Sequence, residues 1–386
     1  MNDAGVLKNI KLLTWFSFFI DFRFYYPIAI LYFSQIAGSY ALGMLVFGVI
    51  NISQALAEVP TGIFSDFIGR KRTMLLGALT AFFAVFCYAL GFSYWVLIAG
   101  AIFEGLAFSF FSGNNEAFLH DTLKEKDMEK EYPKYHGRMS GMTQLAGGIS
   151  AVAGGVLAFY SFPLAIWLSL ISLGICILIT FFFIEPKVVS EKSTNIYNHL
   201  TEAVKLFIKN SNLRLLSFSS ILSYALGESG WLFRSAFFAT LWPVWALGIP
   251  QMLGNLGAAL GFFAAGRAIG RFGAKRLLIF GSLFAHTANI LAFGYVTIFS
   301  PLLAVLGSPF FGISNTARSS LFQKEFSDKQ RATMGSLNSF AGSLFFAVVS
   351  FGLGFIADLL SPARGLLILQ LLMLVNIFVY WKLLKK

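Results

Sequence analysis

The sequence predicts an all-α membrane protein with twelve transmembrane helices in two pseudo-symmetric six-helix bundles. First, the 386-residue chain is 57% hydrophobic and only 12% Asp, Glu, Lys or Arg, a charged share about half that of an ordinary soluble protein. Second, apolar runs of membrane-spanning length recur along the whole chain. Third, one motif is repeated at about half the chain length. This much apolar surface excludes a soluble core, so the bilayer is the expected solvent.

Each predicted span has roughly 20 residues or more, enough to cross about 30 Å of hydrocarbon. The twelve spans are placed at 10–34, 42–66, 73–92, 95–119, 137–160, 162–184, 213–239, 243–268, 274–296, 298–321, 331–357 and 362–384. The chain then divides into a bundle at 1–184, a cytoplasmic linker at 185–212 with a short amphipathic helix, and a bundle at 213–386. The first span contains Asp21 and Arg23 and lacks a small-residue cleavage site, so we interpret it as retained rather than as a signal peptide.

The loops alternate in length and charge, which predicts the orientation of the chain. The short loops after spans 1, 3, 5, 7 and 9 hold no Lys or Arg, and the loop after span 11 holds Arg364. The opposite side carries 26 of the 29 basic residues, which accounts for the net charge of +11 without a nucleic-acid partner. Because cytoplasmic loops carry the excess of positive charge, both termini are predicted to be cytoplasmic. Short loops and small size favour a prokaryotic inner membrane.

An internal repeat links the two halves of the sequence. The segment GIFSDFIGRKRTMLLGAL at 62–79 aligns with GRAIGRFGAKRLLIFGSL at 266–283, and Gly69 matches Gly273. A second pair of similar segments opens spans 5 and 11. Repeats of the same orientation around a central linker predict two six-helix halves related by an axis along the membrane normal.

The motif of the first copy identifies a family resemblance. It resembles the signature loop of the major facilitator superfamily, here in the form of a prokaryotic drug exporter, and the twelve-span layout is similar over essentially the whole chain. The resemblance implies a two-domain secondary transporter with a central cavity that opens alternately to each side. The motif residues, for which the resemblance implies a role in conformational gating, are Gly62, Asp66, Gly69, Arg70, Lys71 and Arg72.

Within this motif, we expect Gly62 and Gly69 to permit close helix packing and a tight turn. By resemblance to the family, Asp66 pairs with a basic residue of a neighbouring span, and Arg331 is the candidate partner. Such a pair would hold the cytoplasmic side closed. The alternative is that Asp66 and its basic neighbours only anchor the topology.

Ionisable residues inside the spans need a reason, because each costs roughly 2.5–3.5 kcal/mol on insertion scales. Asp21 and Glu228 lie near the middle of the equivalent spans 1 and 7 and could bind a proton or a cationic substrate. A low dielectric favours the protonated form of a carboxyl group, so proton exchange near neutral pH becomes feasible. Alternatively, Asp21 pairs with Arg23 or Arg234 and never titrates, although Asp21 and Arg23 point to different helix faces.

The remaining candidate residues are further ionisable and aromatic side chains within or next to the predicted spans. Glu104 is expected either to line the cavity or to pack against a polar helix face. Arg23 and Arg234 could instead capture an anionic substrate. Three aromatic residues near the candidate charges suit a flat, hydrophobic or cationic ligand through stacking and cation–π contacts. These residues are Tyr25, Tyr26 and Trp231. We interpret Glu58, Glu116 and Asp121 as contacts between helices or domains, and His286 as a hydrogen-bonded packing residue.

These observations favour a secondary active transporter that exports a hydrophobic or cationic small molecule in exchange for protons, as a monomer. An uptake symporter for a polar nutrient or organic anion, using Arg23 and Arg234, stays open. A lipid enzyme or non-transporting sensor is a remote alternative, because the sequence has no His or Cys cluster, nucleophile elbow or nucleotide-binding loop. No cofactor or metal site is predicted, and Cys87 and Cys176 indicate no disulfide.

Overall fold

The computed structural model describes residues 3–186, 210–325 and 328–385, and every regular element in these residues is helical. The α-helices are, in chain order, α1 (Asp3–Asp21), α2 (Ala29–Ala37), α3 (Tyr40–Ile68), α4 (Arg70–Leu90), α5 (Tyr94–Phe111), α6 (Asn114–Lys124), α7 (Tyr132–Tyr160), α8 (Phe162–Phe182), α9 (Ser211–Phe238), α10 (Gly248–Phe272), α11 (Ala274–Gly294), α12 (Ser300–Leu303), α13 (Ser308–Glu325), α14 (Asp328–Leu359), α15 (Pro362–Met373) and α16 (Val375–Lys385). The all-α class is confirmed for the described residues.

Ten helical segments of the described chain are long and apolar enough to cross a membrane. The predicted spans 7 and 10 form helices α9 and α13, but these two do not reach that apolar threshold. Both are rich in serine and carry charged residues, which is expected of helices that face water or a polar interior rather than lipid alone. The count of twelve spans therefore stays a prediction.

The chain forms two compact units. The first comprises Met1–Ala37, Val49–Glu191 and Pro243–Met252. Within it α4 packs against α5 and α8, and α1 packs against α7 and α8. Its core contains a buried aromatic cluster, in which the ring of Phe16 lies 5.7 Å from that of Phe111 and 6.0 Å from that of Phe183.

The second unit comprises Gly38–Gly48, Lys192–Trp242 and Leu253–Lys386. In this unit α9 packs against α14 and α15, and α11 packs against α13, α15 and α16. Each unit takes one short segment from the opposite predicted half, and the division at 1–184 and 213–386 stays a prediction. The predicted amphipathic helix of the linker falls almost entirely on residues 187–209, outside the described residues.

Two glycines of the internal repeat begin equivalent helices. Gly69 precedes α4 with φ of +93°, and Gly273 precedes α11 with φ of +81°. Side chains rarely adopt this backbone region, so glycine is the natural residue at both turns. The repeat seen in the sequence is thus reproduced in the backbone conformation of each unit.

Candidate functional site

The first predicted span is a helix broken near its middle. Helix α1 ends at Asp21 and α2 begins only after an irregular segment and a short 3₁₀ turn. Pro27 in that turn has no backbone N–H to continue the helical ladder. The N–H of Phe24 donates instead to Ser169 Oγ at 2.9 Å. A Cβ at Gly154 of α7 would overlap with the Phe24 carbonyl, so this glycine lets the irregular segment pack closely.

The break places Arg23 in a buried ion pair with Glu104 of α5. Arg23 Nη1 lies 2.7 Å from Glu104 Oε1, and the two side chains are 1% and 2% exposed. The Tyr25 hydroxyl donates to the same carboxylate oxygen at 2.8 Å, and the Tyr88 hydroxyl donates to Glu104 Oε2 at 2.8 Å. Arg23 Nε also donates to the carbonyl of Ile20 at 2.7 Å and caps the end of α1. The cluster is neutral overall, as a buried charge pair requires.

Asp21 and Tyr26 flank this cluster and are only partly buried. The guanidinium of Arg23 lies over the Tyr26 ring, 5.3 Å from its centroid. The Thr143 hydroxyl of α7, next to Asp21, donates to the Ser17 carbonyl at 3.3 Å. Arg23 forms its ion pair with Glu104 and not with Asp21, so the structure brings together Arg23, Tyr25, Tyr26 and Glu104 and leaves Asp21 beside them.

A second group of candidate residues lies in the second unit, on one face of α9. Glu228, Trp231 and Arg234 follow one another at three-residue spacing, and all three are partly accessible. Tyr224 continues this face one turn earlier and is 41% exposed, as the helical repeat of 3.6 residues predicts. The other side of the helix is buried and contributes Ala225, Leu226, Ser229 and Phe233 to the core.

Glu228 makes no hydrogen bond and no ion pair with any residue that the structure describes. Lipid cannot solvate an ionised carboxylate, and intramembrane acids face a bundle interior or a water-filled cavity. The accessible face of α9 therefore has the character of a cavity wall.

Arg234 has neutral partners only, among the described residues. Its Nη2 donates to Asn289 Oδ1 of α11 at 3.3 Å, and its guanidinium lies 5.5 Å from the Trp231 ring centroid. Asn289 Nδ2 donates to Gln370 Oε1 of α15 at 3.4 Å, and His286 Nδ1 lies 3.0 Å from the same oxygen. The expectation that His286 is a hydrogen-bonded packing residue agrees with this contact.

The turn before α4 is held by an acid that the sequence analysis did not single out. The backbone N–H groups of Arg70 and Lys71 donate to the Glu185 carboxylate at 2.6 and 2.9 Å. A carboxylate at a helix N-terminus satisfies unpaired N–H groups and complements the helix dipole. A Cβ at Gly69 would lie 2.8 Å from Glu185 Oε1. Glycine at this position thus serves both the backbone conformation and the approach of the cap.

Three further polar contacts in the same region join neighbouring helices or the turn after α5. Arg70 Nε lies 3.5 Å from Asp121 Oδ2, and Arg70 Nη1 donates to Ser65 Oγ at 2.9 Å. Ser112 Oγ donates to Glu58 Oε1 at 3.2 Å. These contacts match the interpretation of Glu58 and Asp121 as polar contacts between helices.

The other predicted gating residues make few contacts that the structure describes. Arg72 is exposed. No described atom lies within 4 Å of a Cβ placed on Gly62, so the close packing expected there is not observed. The side chains of Asp66 and Arg331 lie outside the described part of the chain, and the gate between them stays a prediction.

Sequence reasoning assigned no contacts to Tyr88, Asn289 and Gln370. Their partners are 16, 55 and 84 positions away in the chain, and no local pattern marks such pairs. Glu185 did carry a signal, because it ends a span beside the basic turn. No group of three or more His, Cys, Asp or Glu that could hold a metal occurs in the described residues.

The fold and these buried charges define a polytopic α-helical membrane protein with ionisable groups in the interior of its spans. The profile of the Major Facilitator Superfamily matches residues 12–350. The chain belongs to this superfamily, and it is a transporter rather than an enzyme.

Curated relatives match parts of the chain. An uncharacterized transporter of Buchnera aphidicola subsp. Acyrthosiphon pisum is 30% identical over 142 residues, which cover 36% of this chain and 35% of the relative. A Na(+), Li(+), K(+)/H(+) antiporter of Planococcus maritimus is 26% identical over 183 residues, which cover 45% of this chain and 42% of the relative. In both matches the chain spans less than half the length of the relative.

Solved structures match the whole chain. The nucleoside transporter NupG superposes with a TM-score of 0.81 at 16% identity and covers 100% of both chains. A bacterial homologue of the human lysosomal transporter Spinster gives 0.75 at 15% identity, covering 99% of this chain and 97% of that one. The human organic anion transporter MFSD10 gives 0.68 at 16% identity, with 98% and 100% covered. At such identities the similarity shows the fold alone.

Proposed function

We propose that the protein is a proton-coupled secondary transporter that works by alternating access and exports a hydrophobic or cationic small molecule. It would do so as a monomer in the inner membrane, with both termini in the cytoplasm. The observation that carries the proposal is Glu228, a partly accessible carboxylate within a helix of the membrane domain that has no partner among the described residues.

An ionised, unpaired carboxylate within a membrane domain costs several kcal/mol of free energy. Two kinds of binding can remove this cost. The carboxylate can bind a proton, or it can bind a cationic substrate. If both compete for the same group, inward proton movement drives outward movement of the cation. The antiporter of Planococcus maritimus, matched over 45% of this chain, is named for such an exchange of cations for protons.

Glu228 suits this role better than the other intramembrane acids. Glu104 already accepts hydrogen bonds from Arg23, Tyr25 and Tyr88 and is 2% exposed. Asp21 has the positive charge of Arg23 nearby. An acid whose charge is already compensated gains less from exchanging a proton. We therefore assign coupling to Glu228 and leave Asp21 as a secondary candidate.

The alternative of organic-anion uptake relies on Arg23 and Arg234, and the same reasoning removes Arg23 as an anion-binding residue. Arg23 is neutralised by Glu104, and its guanidinium is 1% exposed. Arg234 keeps its charge available, because its partners are Asn289 and Trp231. Export of a cation or neutral molecule remains the first proposal, and anion recognition is confined to Arg234.

Accumulation of a fluorescent lipophilic cation in efflux-deficient bacterial cells tests the proposal. Cells expressing the wild-type chain should accumulate less dye than control cells, and a protonophore should abolish the difference. Glu228→Gln should accumulate dye as control cells do. Glu131→Gln is the matched control, because Glu131 pairs with an exposed lysine. Unchanged accumulation with verified membrane expression, or full export by Glu228→Gln, would refute the proposed coupling.

A further inference from the structure

Arg234 differs from Arg23 in how its charge is compensated. Arg23 is 1% exposed and lies 2.7 Å from a carboxylate. Arg234 is partly accessible and contacts an amide oxygen at 3.3 Å and an aromatic ring at 5.5 Å. No described acid forms an ion pair with it. Its positive charge is therefore held in the protein interior without a counter-ion.

The partners of Arg234 fix its position without cancelling its charge. Asn289 accepts from the guanidinium and donates to Gln370, and Gln370 in turn contacts His286. Asn289, Gln370 and His286 are 6%, 4% and 7% exposed. This buried chain of neutral groups spans α11 and α15. It orients the guanidinium and leaves its remaining N–H groups for an anion, which a guanidinium binds well through paired hydrogen bonds.

Glu228 lies six residues before Arg234 on the accessible side of α9, and the two side chains point about 120° apart around the helix axis. At 1.5 Å per residue the two Cα positions are about 9 Å apart along the helix. Trp231 lies between them, and its ring packs against Gly254 of α10, where a Cβ would lie 2.9 Å from Trp231 Cη2. The face thus presents an unpaired acid, a supported aromatic ring and an unpaired base in sequence.

We propose that this face binds an amphoteric substrate, with its cationic group on Glu228, its apolar body along Trp231 and a carboxylate-type anion on Arg234. The proposal rests on the proposed function, since Glu228 is also the coupling residue there, and it narrows the substrate class. Each pole of such a molecule would neutralise one unpaired charge of the protein. A molecule with only one pole would leave the other charge uncompensated and would bind more weakly.

Isothermal titration calorimetry on the purified full chain in lipid nanodiscs tests this arrangement. The probes are 6-aminohexanoate, hexanoate, hexylamine and glycine. The first carries both charges at the ends of an unbranched chain, the next two carry one charge each, and glycine carries both charges side by side. Wild-type protein should bind 6-aminohexanoate at least about tenfold more tightly than any of the others, as expected for one additional charge-assisted hydrogen-bonded contact.

Two variants separate recognition from structure. Arg234→Gln should lose this preference and keep hexylamine binding. Asn289→Asp is nearly isosteric and retains a hydrogen-bond acceptor, but it supplies a counter-ion to Arg234. It should lose the preference as well, while a purely structural role of Asn289 predicts no selective change. Arg364→Gln, at an exposed arginine at the start of α15, is the matched control.

The outcomes distinguish this inference from the proposed function. The inference is overturned if wild type and Arg234→Gln bind 6-aminohexanoate equally well. It is also overturned if wild type binds 6-aminohexanoate no more tightly than hexylamine. In either of these cases the cation-coupling proposal survives, provided that Glu228→Gln loses the hexylamine binding that wild type shows. If wild type binds none of the probes and exports no lipophilic cation, both proposals fail.

Discussion

Replacing Glu104 with glutamine would remove the ion-pair partner of the buried guanidinium of Arg23. Removing one partner of a buried ion pair costs about 3–5 kcal/mol, because the other charge stays desolvated. The pair here meets that condition, with an N···O distance of 2.7 Å and side chains 1% and 2% exposed. Since protein stabilities are about 5–15 kcal/mol, Glu104→Gln should remove about a fifth or more of the total. The expected fall in melting temperature is about 5 °C for a chain of this length.

The second half of this test is the double variant Arg23→Met, Glu104→Gln. It removes both charges and keeps one amide oxygen that accepts from one of the hydroxyls of Tyr25 and Tyr88, while the amide N–H group can donate to the other. The bond from Arg23 to the Ile20 carbonyl is lost, which costs about 1 kcal/mol. The double variant should therefore be clearly more stable than Glu104→Gln alone, because replacing a whole buried pair by neutral groups is often close to neutral.

The assay is thermal unfolding of the purified protein in detergent, followed by tryptophan fluorescence. Glu131→Gln serves as the control, since its pair with Lys134 is exposed and exposed pairs contribute little to stability. A Glu104→Gln variant as stable as wild type would refute the reasoning, and so would a double variant less stable than the single one. Retained transport in the double variant would further assign Arg23 and Glu104 to the scaffold rather than to coupling.

Three further predictions concern the glycine-rich turn and two acids near helix ends. Gly69→Ala should lower the free energy of unfolding by about 1–3 kcal/mol, because the φ of +93° and ψ of 159° at Gly69 lie in a region that is essentially restricted to glycine. The added Cβ should also displace Glu185. Thermal unfolding measures the loss of stability. Asp66→Asn should abolish substrate flux or bias the protein to one facing state, as measured by flux and by cysteine accessibility from both sides of the membrane. Asp358→Ala should cost about 1 kcal/mol in thermal unfolding, because the Asp358 carboxylate accepts from the first two backbone N–H groups of α3 at 2.8 and 2.9 Å.

Each of these predictions has a result that contradicts it. Gly62→Ala is the control for Gly69→Ala, since no described atom lies within 4 Å of its added Cβ; equal effects at both positions would remove the argument from backbone conformation. Wild-type flux and wild-type accessibility in Asp66→Asn would leave the motif as a topology anchor. Unchanged stability in Asp358→Ala, with Asp358→Asn as a milder comparison, would show that water caps α3 equally well.

The parts of the fold that could be predicted from sequence are those with a repeating or local signal. Apolar runs predicted the helices, since a bilayer demands long hydrogen-bonded segments. The internal repeat predicted that Gly69 and Gly273 are equivalent, and both have positive φ before a helix. The polarity of α9 was also visible in the sequence, although its apolar run placed it among the predicted spans.

The break between α1 and α2 was missed for a physical reason. The segment is mostly apolar despite Asp21 and Arg23, so hydropathy reports one continuous stretch, and the membrane-length segment Gly5–Ala37 indeed runs across it. Pro27 was a local signal, but a proline in a membrane helix is tolerated when neighbouring groups satisfy the freed backbone. Here Ser169 does so for Phe24, and its position 145 residues away along the chain gives a single sequence no means to predict the contact.

The charges illustrate the same limit and also identify the functional half of the site. Sequence showed two arginines and several acids within spans, and each one alone could bind a substrate. The fold decides between them by distance. Arg23 Nη1 lies 2.7 Å from Glu104 Oε1, whereas Glu228 and Arg234 form no ion pair with any described residue. Both arrangements carry no net charge, but only the second leaves its two charges unpaired.

An unpaired acid and an unpaired base on one helix are stable only if something else compensates them. About 9 Å of helix separates their Cα positions, so a direct ion pair would require both side chains to bend toward each other across Trp231. Water in a cavity can solvate both groups, and a bound molecule can replace that water. The free-energy cost of keeping such groups unpaired within a membrane domain is several kcal/mol. Retaining that cost makes physical sense where the missing counter-charges arrive with the substrate and the proton, which is why we place recognition and coupling on α9.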